Sequence, residues 1–294
     1  MLGCSAQVGA STPLSLPPPS RWNPSAYTHI APHHQHIEAR KLLNLHVQEL
    51  SGRERVLDVG CGDGSFTATG IYALIALRGS VVGIDRDPAM IDHASTAYSQ
   101  KGSRANLRFI EANVLDLSHV EGEFDLVFSN AALHHLYREE QQRAALGEIR
   151  SRMTRGSVLL ASLAGHGNFQ GLIESCERVI ALPTWSPFFE GFSYPLLRPT
   201  PNQYRAPLLD NNLCPVALYL DTHVHYHASP QELEDFVRVC LRSVMCRLEG
   251  LREESQRSFA SQVVTEYLQS SEWSRTARGI ALRSVNLIVK AIAT

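Results

Sequence analysis

The chain has 294 residues, enough for one or two domains with a large buried core. Hydrophobic residues make up 44% and charged residues 19%, a composition that excludes a disordered or collagen-like chain. Lys and Arg number 27 against 29 for Asp and Glu, so the net charge of −2 lacks the basic excess that is typical of nucleic-acid-binding proteins. We therefore expect a small-molecule partner, with no nucleic acid and no membrane.

The first twenty residues and the cysteines indicate where in the cell the protein is found. Residues 1–20 contain no charged side chain and lack the basic and continuously apolar regions of a secretory signal, which predicts a disordered leader. The six cysteines form no C-x-x-C pair and no zinc-ligand spacing, as is typical of reduced thiols. The longest apolar runs are too short for a transmembrane helix. These features predict a soluble, cytoplasmic protein.

Between residues 53 and 162 short apolar runs alternate with longer helical patterns, which is typical of a parallel α/β sheet. Strands are predicted at 55–59, 80–85, 106–112, 124–130 and 157–163. Helices are predicted at 65–78, 88–100 and 138–153, the second with Asp87 as its cap and Pro88 at its first position. Four of the five strands are nearly all apolar, as expected where helices cover both faces of the sheet.

The pattern changes after the fifth strand. Two helix starts are predicted at 200–203 and 229–232, each with a hydroxyl cap, a first-turn proline and an amide or acid at the third position. Residues 183–215 hold seven of the fifteen prolines and several aromatics, which predicts an irregular cover over the sheet edge. This cover is either a packed loop or a wall of a substrate pocket. Strand patterns return at 216–226 and 280–292, with an amphipathic helix near 252–270.

The stretch VLDVGCGDGSF at 56–66 runs from a strand through Gly60, Gly62 and Gly64 into a helix. Glycines allow a sharp turn and a close approach to a ligand at the carboxyl end of a strand. A dinucleotide fingerprint would have Gly where this chain has Ser65, and a phosphate-binding loop would need a lysine. Asp58 and Asp63 instead flank the loop, so it favours a cationic ligand such as S-adenosylmethionine over a phosphate. The alternative is that Asp58 only orients the turn.

Two other strand ends carry side chains suited to an adenosine. Asp85 ends the second strand, where its carboxylate can accept both ribose hydroxyls, although NAD would need the same acid. Asn113 follows the third strand, where its amide could bond the adenine edge between Val114 and Met90. The alternative is that Asn113 is an ordinary loop residue.

In order and spacing, the segments VLDVGCGDG, GIDRDPAMI, EANVLDL and FDLVFSNAALHHL resemble class I S-adenosylmethionine-dependent methyltransferases over roughly residues 40–165. The resemblance implies a Rossmann-like α/β fold, with a mostly parallel seven-stranded sheet and helices on both faces. It implies S-adenosylmethionine as cofactor, with the loop glycines around its methionine part, Asp85 on the ribose, and Asn113 and Val114 at the adenine. Many relatives have Asp in place of Asn113.

The flanking segments RWNPSAY, TPNQYRAPLL and SPQELEDFV resemble the trans-aconitate methyltransferase group, which methylates carboxylates of small acids. In that group the N-terminal Trp/Tyr segment folds over the cofactor, so the resemblance makes Trp22 and Tyr27 candidates for a lid. It favours an oxygen of a carboxylic acid as the methyl acceptor. Two alternatives remain, a non-catalytic S-adenosylmethionine-binding regulator and an NAD-dependent reductase on a similar sheet.

The candidate cofactor-binding residues are Trp22, Tyr27, Asp58, Gly60, Cys61, Gly62, Gly64, Asp85, Arg86, Met90, Asn113, Val114 and Asn130. His134 and His135 follow the fourth strand, beside the expected methyl group. They are candidates to orient or deprotonate an acceptor, and packing beneath the cofactor is the alternative.

A second group of histidines, His223, His225 and His227, alternates along a predicted strand and so shares one face. Such a pattern can bind a metal, but it is also typical of the solvent-facing side of an edge strand. We predict no metal site here.

We expect one methyltransferase domain over residues 21–294 after the leader at 1–20. Its parts are an N-terminal lid and first helix at 21–52, a cofactor-binding core at 53–165, an insertion and substrate cover at 166–228, and C-terminal helices with the last strand at 229–294.

Overall fold

A single mixed sheet organises the protein. The computed structural model describes residues 32–75, 78–99, 105–194, 197–270 and 274–294. The strands are β1 (Arg55–Val59), β2 (Ser80–Asp85), β3 (Leu107–Glu111), β4 (Phe124–Asn130), β5 (Met153–Ala164), β6 (Leu213–His227), β7 (Ser274–Thr276) and β8 (Gly279–Ala293). Seven follow the order β3-β2-β1-β4-β5-β8-β6, and the short β7 pairs with β8. The predicted seven-stranded Rossmann-like sheet is confirmed.

The direction of the strands places the ligand-binding edge. β1 pairs in parallel with β2 and β4, and the outer pairs β2–β3 and β4–β5 are also parallel. β8 runs antiparallel to its neighbours β5, β6 and β7. The carboxyl ends of β1 to β5 therefore meet at one edge of the sheet. The chain order reverses between β1 and β4, and open α/β sheets bind ligands at such a point.

Helices cover both faces of the sheet. They are α1 (Pro32–Asn44), α2 (Tyr72–Ile75) with a preceding π-helical turn (Thr67–Ile71), α3 (Pro88–Tyr98), α4 (Glu139–Ser151), α5 (Gln170–Ile180), α6 (Pro201–Asp210), α7 (Pro230–Cys240), α8 (Arg242–Met245) and α9 (Glu253–Gln269). Short 3-10 turns occur at Val47–Glu49, Leu133–His135, Ser186–Phe189 and Cys246–Leu248. None of these described helices combines the length and apolar character that crossing a membrane requires.

The predicted helix caps form as expected. The side chain of Asp87 accepts from the Ala89 amide at 3.0 Å, and Thr200 and Ser229 accept from amides three residues on at 3.3 and 3.2 Å. Each bond satisfies an amide that the first helical turn leaves unpaired.

Two predicted segments differ from the structure. The helix expected at 65–78 contains the π-helical turn. Helix α5 lies between the fifth strand and the cover expected at 183–215, within the insertion expected at 166–228, and the sequence analysis missed it. Phe169 precedes α5 with a left-handed φ of 49° and no side-chain cap, so the usual start signal is lacking.

Three apolar clusters form the core. One lies on the α4 and α6 face of the sheet and includes Leu57, Leu146 and Leu208. Another lies on the α1 and α2 face and includes Leu42, Ile71 and Leu160. The third joins α5, α7, α8 and α9, a unit that we call the cap, and its members include Leu172, Trp185, Leu233, Val244 and Phe259.

The cap lies past the carboxyl edge of the parallel strands. The β5–β8 pairing ends at Ala164 opposite Asn286, whereas β8 continues beside β6 to Ile280 opposite His227. Ile280 and Leu282 belong to the cap cluster. The cap is therefore anchored on strand residues that extend beyond the end of β5.

Candidate active site

A tight glycine turn joins β1 to the first core helix. The amides of Gly60 and Cys61 both donate to the carbonyl oxygen of Ile84, at 2.8 and 2.9 Å, so the turn bends over the end of β2. Gly60 and Gly64 both have φ of +75°, a conformation that L residues rarely adopt. A Cβ on Gly60 would collide with Ala132, and one on Gly64 would lie 2.6 Å from the Cβ of Ala94. The turn thus requires glycine for both conformation and space.

The two acids that flank this turn have different surroundings. Asp58 is 4% exposed and accepts a hydrogen bond of 2.6 Å from the Thr67 hydroxyl. Burial, with a smaller contribution from the negative charge of Asp85, raises the pKa of Asp58 to about 7. Asp63 accepts from the amide and the hydroxyl of Ser65, at 3.0 and 2.6 Å, and so closes the next turn. At neutral pH Asp58 is therefore near its midpoint of ionisation, and a charged ligand beside it would change its charge.

Asp85 connects the end of β2 to the glycine turn. One carboxylate oxygen accepts from the Gly62 amide at 3.1 Å and the other from the Asp87 amide at 2.9 Å. Burial raises the pKa of Asp85, although both hydrogen bonds oppose this shift. A carboxylate has about four acceptor positions, so two remain for a ligand such as a ribose. The structure brings Asp85 and the turn together as predicted.

The predicted adenine side is more open. The amide oxygen of Asn113 accepts from the Leu115 backbone N–H at 3.1 Å, which forms a local turn, and the side chain is exposed. Val114 is partly buried, and Met90 is 2% exposed on α3. The amide oxygen already has one partner, so the amide nitrogen is the more available group for a ligand. The adenine contact of Asn113 stays a prediction.

The end of β4 is fastened to α1 and carries local strain. The side-chain nitrogen of Asn130 donates to the Gln35 carbonyl of α1 at 3.3 Å. Its side-chain oxygen is buried with no hydrogen-bond partner among the described residues. Ala131 has φ of +55°, a left-handed conformation that is uncommon for a non-glycine residue. An unsatisfied acceptor and a strained residue thus lie together at this edge.

His134 and His135 lie in the 3-10 turn Leu133–His135, which we call the histidine turn. Their ring centroids are 4.4 Å apart, and the Ala164 amide donates to Nδ1 of His134 at 3.4 Å. Burial lowers the pKa of His134 to about 4 and holds that of His135 well below its usual range, with the charges of His134 and Arg86 contributing to the latter. Both imidazoles are therefore uncharged at neutral pH.

The other predicted site residues are less informative. Burial and nearby carboxylates raise the pKa of Cys61, so its thiol is uncharged. Arg86 is exposed, directly after Asp85. Trp22 and Tyr27 lie outside the described residues, so their lid role stays a prediction.

The solvent-facing interpretation of the β6 histidines is wrong for His225 and His227, which are only 8% and 3% exposed. Nε2 of His225 lies 2.7 Å from the Ser284 hydroxyl and 3.5 Å from a carboxylate oxygen of Glu38 on α1. His223 lies 2.9 Å from the carboxylate of Asp221. No group of three or more His, Cys, Asp or Glu side chains is arranged to hold a metal in the part of the chain that the structure describes.

Sequence reasoning missed the residues of α1 that reach the site. Besides the Gln35 carbonyl, Nε2 of His36 lies 2.9 Å from the Ser65 hydroxyl beside the glycine turn. These contacts join positions 29 and 95 residues apart in the chain, and no local pattern reports them.

Comparison with known proteins agrees with this geometry. Residues 56–156 match the family model described as a methyltransferase domain. The chain is 29% identical over 229 residues to an uncharacterized methyltransferase of Schizosaccharomyces pombe, a match that covers 68% of this chain and 82% of that protein. Over 108 residues it is 34% identical to an uncharacterized methyltransferase of Mycobacterium tuberculosis, and there it spans about half of the relative, 49%.

A third relative has a named substrate. The chain is 34% identical over 130 residues to a trans-aconitate 2-methyltransferase of Deinococcus radiodurans, which covers 43% of this chain and 44% of that protein. Among solved structures, protein BH2331 of Bacillus halodurans aligns with a TM-score of 0.57 at 16% identity, covering 87% of this chain and 99% of that one. The domain match and the sheet order identify an S-adenosylmethionine-dependent methyltransferase with the class I fold.

Proposed function

We propose that the protein transfers the methyl group of S-adenosylmethionine to a carboxylate oxygen of a small acid. The observation that carries this proposal is the state of the histidine turn. The pKa of His134 is about 4 and that of His135 is well below its usual range, so both imidazoles are weak bases. A phenol or an amine acceptor must lose a proton and needs a general base matched to the working pH. A carboxylate is already deprotonated at neutral pH and needs none.

The residues at the sheet edge fit the cofactor. The carboxylate of Asp85 keeps acceptor positions beside the glycine turn, and the buried Asn130 oxygen lacks a hydrogen-bond partner within the described chain. Asp58 and Asp85 supply negative charge beside the turn, which suits a ligand with a sulfonium and an ammonium group. S-adenosylmethionine supplies an activated methyl group when bound. The protein's own contribution is then to align the acceptor and to exclude water.

Charge near the histidine turn supports an anionic acceptor. Arg86 influences the pKa of both His135 and Tyr137, so its guanidinium lies within electrostatic reach of the turn. Guanidinium groups bind carboxylates with two parallel hydrogen bonds. The partial match to a trans-aconitate methyltransferase also supports this acceptor class.

The test has two stages. Calorimetric titration with S-adenosylmethionine, S-adenosylhomocysteine and NADH should show micromolar binding of the first two alone, and Asp85→Ala should weaken it. Formation of S-adenosylhomocysteine is then measured with panels of small carboxylic acids, phenols and amines. Turnover with acids supports the proposal, whereas turnover confined to phenols or amines overturns it. Cofactor binding without turnover on any panel favours a regulatory protein, and binding of NADH alone favours a reductase.

A further inference from the structure

A buried side-chain amide on α4 holds the histidine turn through two hydrogen bonds to its backbone. Gln142, on α4, is 1% exposed, and its side-chain nitrogen donates to the carbonyl oxygens of Leu133 and Leu136, at 2.5 and 3.1 Å. These two carbonyls lie at the beginning and just beyond the end of the turn. A single side chain therefore holds both ends of the segment that presents His134 and His135.

Tyr204 holds that amide in place. It lies on α6, is 2% exposed, and its hydroxyl donates to the side-chain oxygen of Gln142 at 2.9 Å. The two backbone carbonyls can only accept, so the Gln142 nitrogen must face them and its oxygen must face Tyr204. The phenol satisfies an acceptor that would otherwise be buried without a partner, which is costly. The contacts define one orientation of the whole chain of hydrogen bonds.

We propose that Tyr204 is a positioning residue of the active site, acting through Gln142 on the histidine turn. Tyr204 lies outside residues 56–156, which match the family model, and it belongs to a helix that leads into β6. Helix α6, which follows the fifth strand, is thereby linked to the carboxyl edge of the sheet through Gln142, with no direct contact to a ligand. The catalytic meaning of this link rests on the proposed function, in which the acid acceptor is aligned beside the histidine turn.

The chain offers a matched control for the loss of one buried hydroxyl. Tyr204→Phe keeps the ring and removes the donor to Gln142. Tyr267→Phe makes the same change at a residue that is 1% exposed and donates to the Ala281 carbonyl at 3.1 Å, between α9 and β8. Gln142→Met interrupts the same series of hydrogen bonds at its middle residue, because methionine has a side chain of similar length and no N–H donor.

Two measurements on the full chain separate positioning from general stability. Hydrogen exchange of the 131–137 backbone should become about tenfold faster in Tyr204→Phe, which loses one buried hydrogen bond near this segment. It should accelerate at least as much in Gln142→Met, which loses all three hydrogen bonds of the Gln142 side chain. The imidazole nitrogen resonances of His134 and His135 should shift in the same two variants. Tyr267→Phe should change neither, even where it lowers Tm by as much.

The proposal is overturned if Tyr204→Phe and Tyr267→Phe lower Tm equally while the 131–137 exchange and the two imidazole resonances keep their wild-type values. Neither measurement needs an acceptor, so failure to find an acid substrate would leave this inference standing. Once an acceptor is known, Tyr204→Phe should lower kcat with the KM for S-adenosylmethionine unchanged, and a change confined to KM would contradict positioning.

Discussion

At the scale of single residues, Asp58 links cofactor binding to pH. Its pKa of about 7 in the free protein means that it is largely protonated at pH 6 and largely ionised at pH 8. A cationic ligand interacts better with the ionised form, so binding lowers this pKa and releases a proton. We expect the affinity for S-adenosylmethionine to rise about tenfold from pH 6 to pH 8, in proportion to the ionised fraction.

Calorimetry in buffers with different ionisation enthalpies would measure this proton release directly. Asp58→Asn keeps an acceptor for the Thr67 hydroxyl but cannot ionise, and so provides the control. Its affinity should be lower at pH 8 and nearly independent of pH. Equal affinity of the wild-type protein at pH 6 and pH 8, with no proton released, would show that Asp58 does not sense the ligand charge.

The histidine turn makes a different prediction about pH. His134 has a pKa of about 4 and His135 a lowered one, so both stay deprotonated throughout the neutral range. With a carboxylate acceptor and saturating cofactor, kcat should be flat from pH 6 to pH 8.5. Initial rates of S-adenosylhomocysteine formation measure this. A rise in kcat with an inflection near pH 7 would instead indicate a general base, and an acceptor that must lose a proton.

At the scale of elements, the glycine turn combines two costs that can be separated. Gly64 has φ of +75° and no space for a Cβ, whereas Gly156 has φ of +90° with nothing within 4 Å of a Cβ. Gly156→Ala should cost only backbone strain, about 1 kcal/mol of unfolding free energy. Gly64→Ala should cost about 1–3 kcal/mol more, since the added methyl group also overpacks its surroundings.

Urea unfolding of both variants gives this comparison, and titration with S-adenosylhomocysteine shows whether only Gly64→Ala weakens binding. Equal losses of stability in the two variants would mean that the surroundings of Gly64 yield to a methyl group at no cost.

Helices that begin with a side-chain cap close in sequence could be predicted, and a helix without such a cap could not. Asp87, Thr200 and Ser229 each cap a helix through an amide two or three residues away, so the sequence contains the whole signal. Helix α5 begins after Phe169 with no side-chain cap and was missed. The burial of His225 depends on α1, whose Glu38 lies 187 positions earlier, and alternation within β6 cannot report it.

The residues of the candidate site also fall into a group that the sequence could predict and a group that it could not. The glycine turn and Asp85 follow from strand ends that a parallel sheet brings to one edge, and their proximity was predicted. The link from Tyr204 to Gln142 joins residues 62 positions apart on two helices, and it depends on how those helices pack. Such a pair leaves no periodic trace in a single sequence.

At the scale of the whole molecule, α1 contacts both the cofactor edge of the sheet and strand β6. His36 bonds Ser65 beside the glycine turn, the Gln35 carbonyl accepts from Asn130 at the end of β4, and Glu38 lies 3.5 Å from His225 on β6. One helix therefore contacts the cofactor edge and the strand that leads to the cap. A change at the glycine turn has a direct route to this helix.

We therefore expect S-adenosylhomocysteine to slow hydrogen exchange in residues 35–44 together with the glycine turn, by about tenfold at saturating ligand. Ser65→Ala removes the hydroxyl that lies 2.9 Å from His36, and should reduce the protection of α1 more than that of the turn. Ser151→Ala is the matched control, because its hydroxyl donates to the nearby Glu148 carbonyl at an exposed helix end, away from α1 and the glycine turn. Protection of the turn with unchanged exchange in α1 would show that the helix only covers the site and does not respond to the ligand.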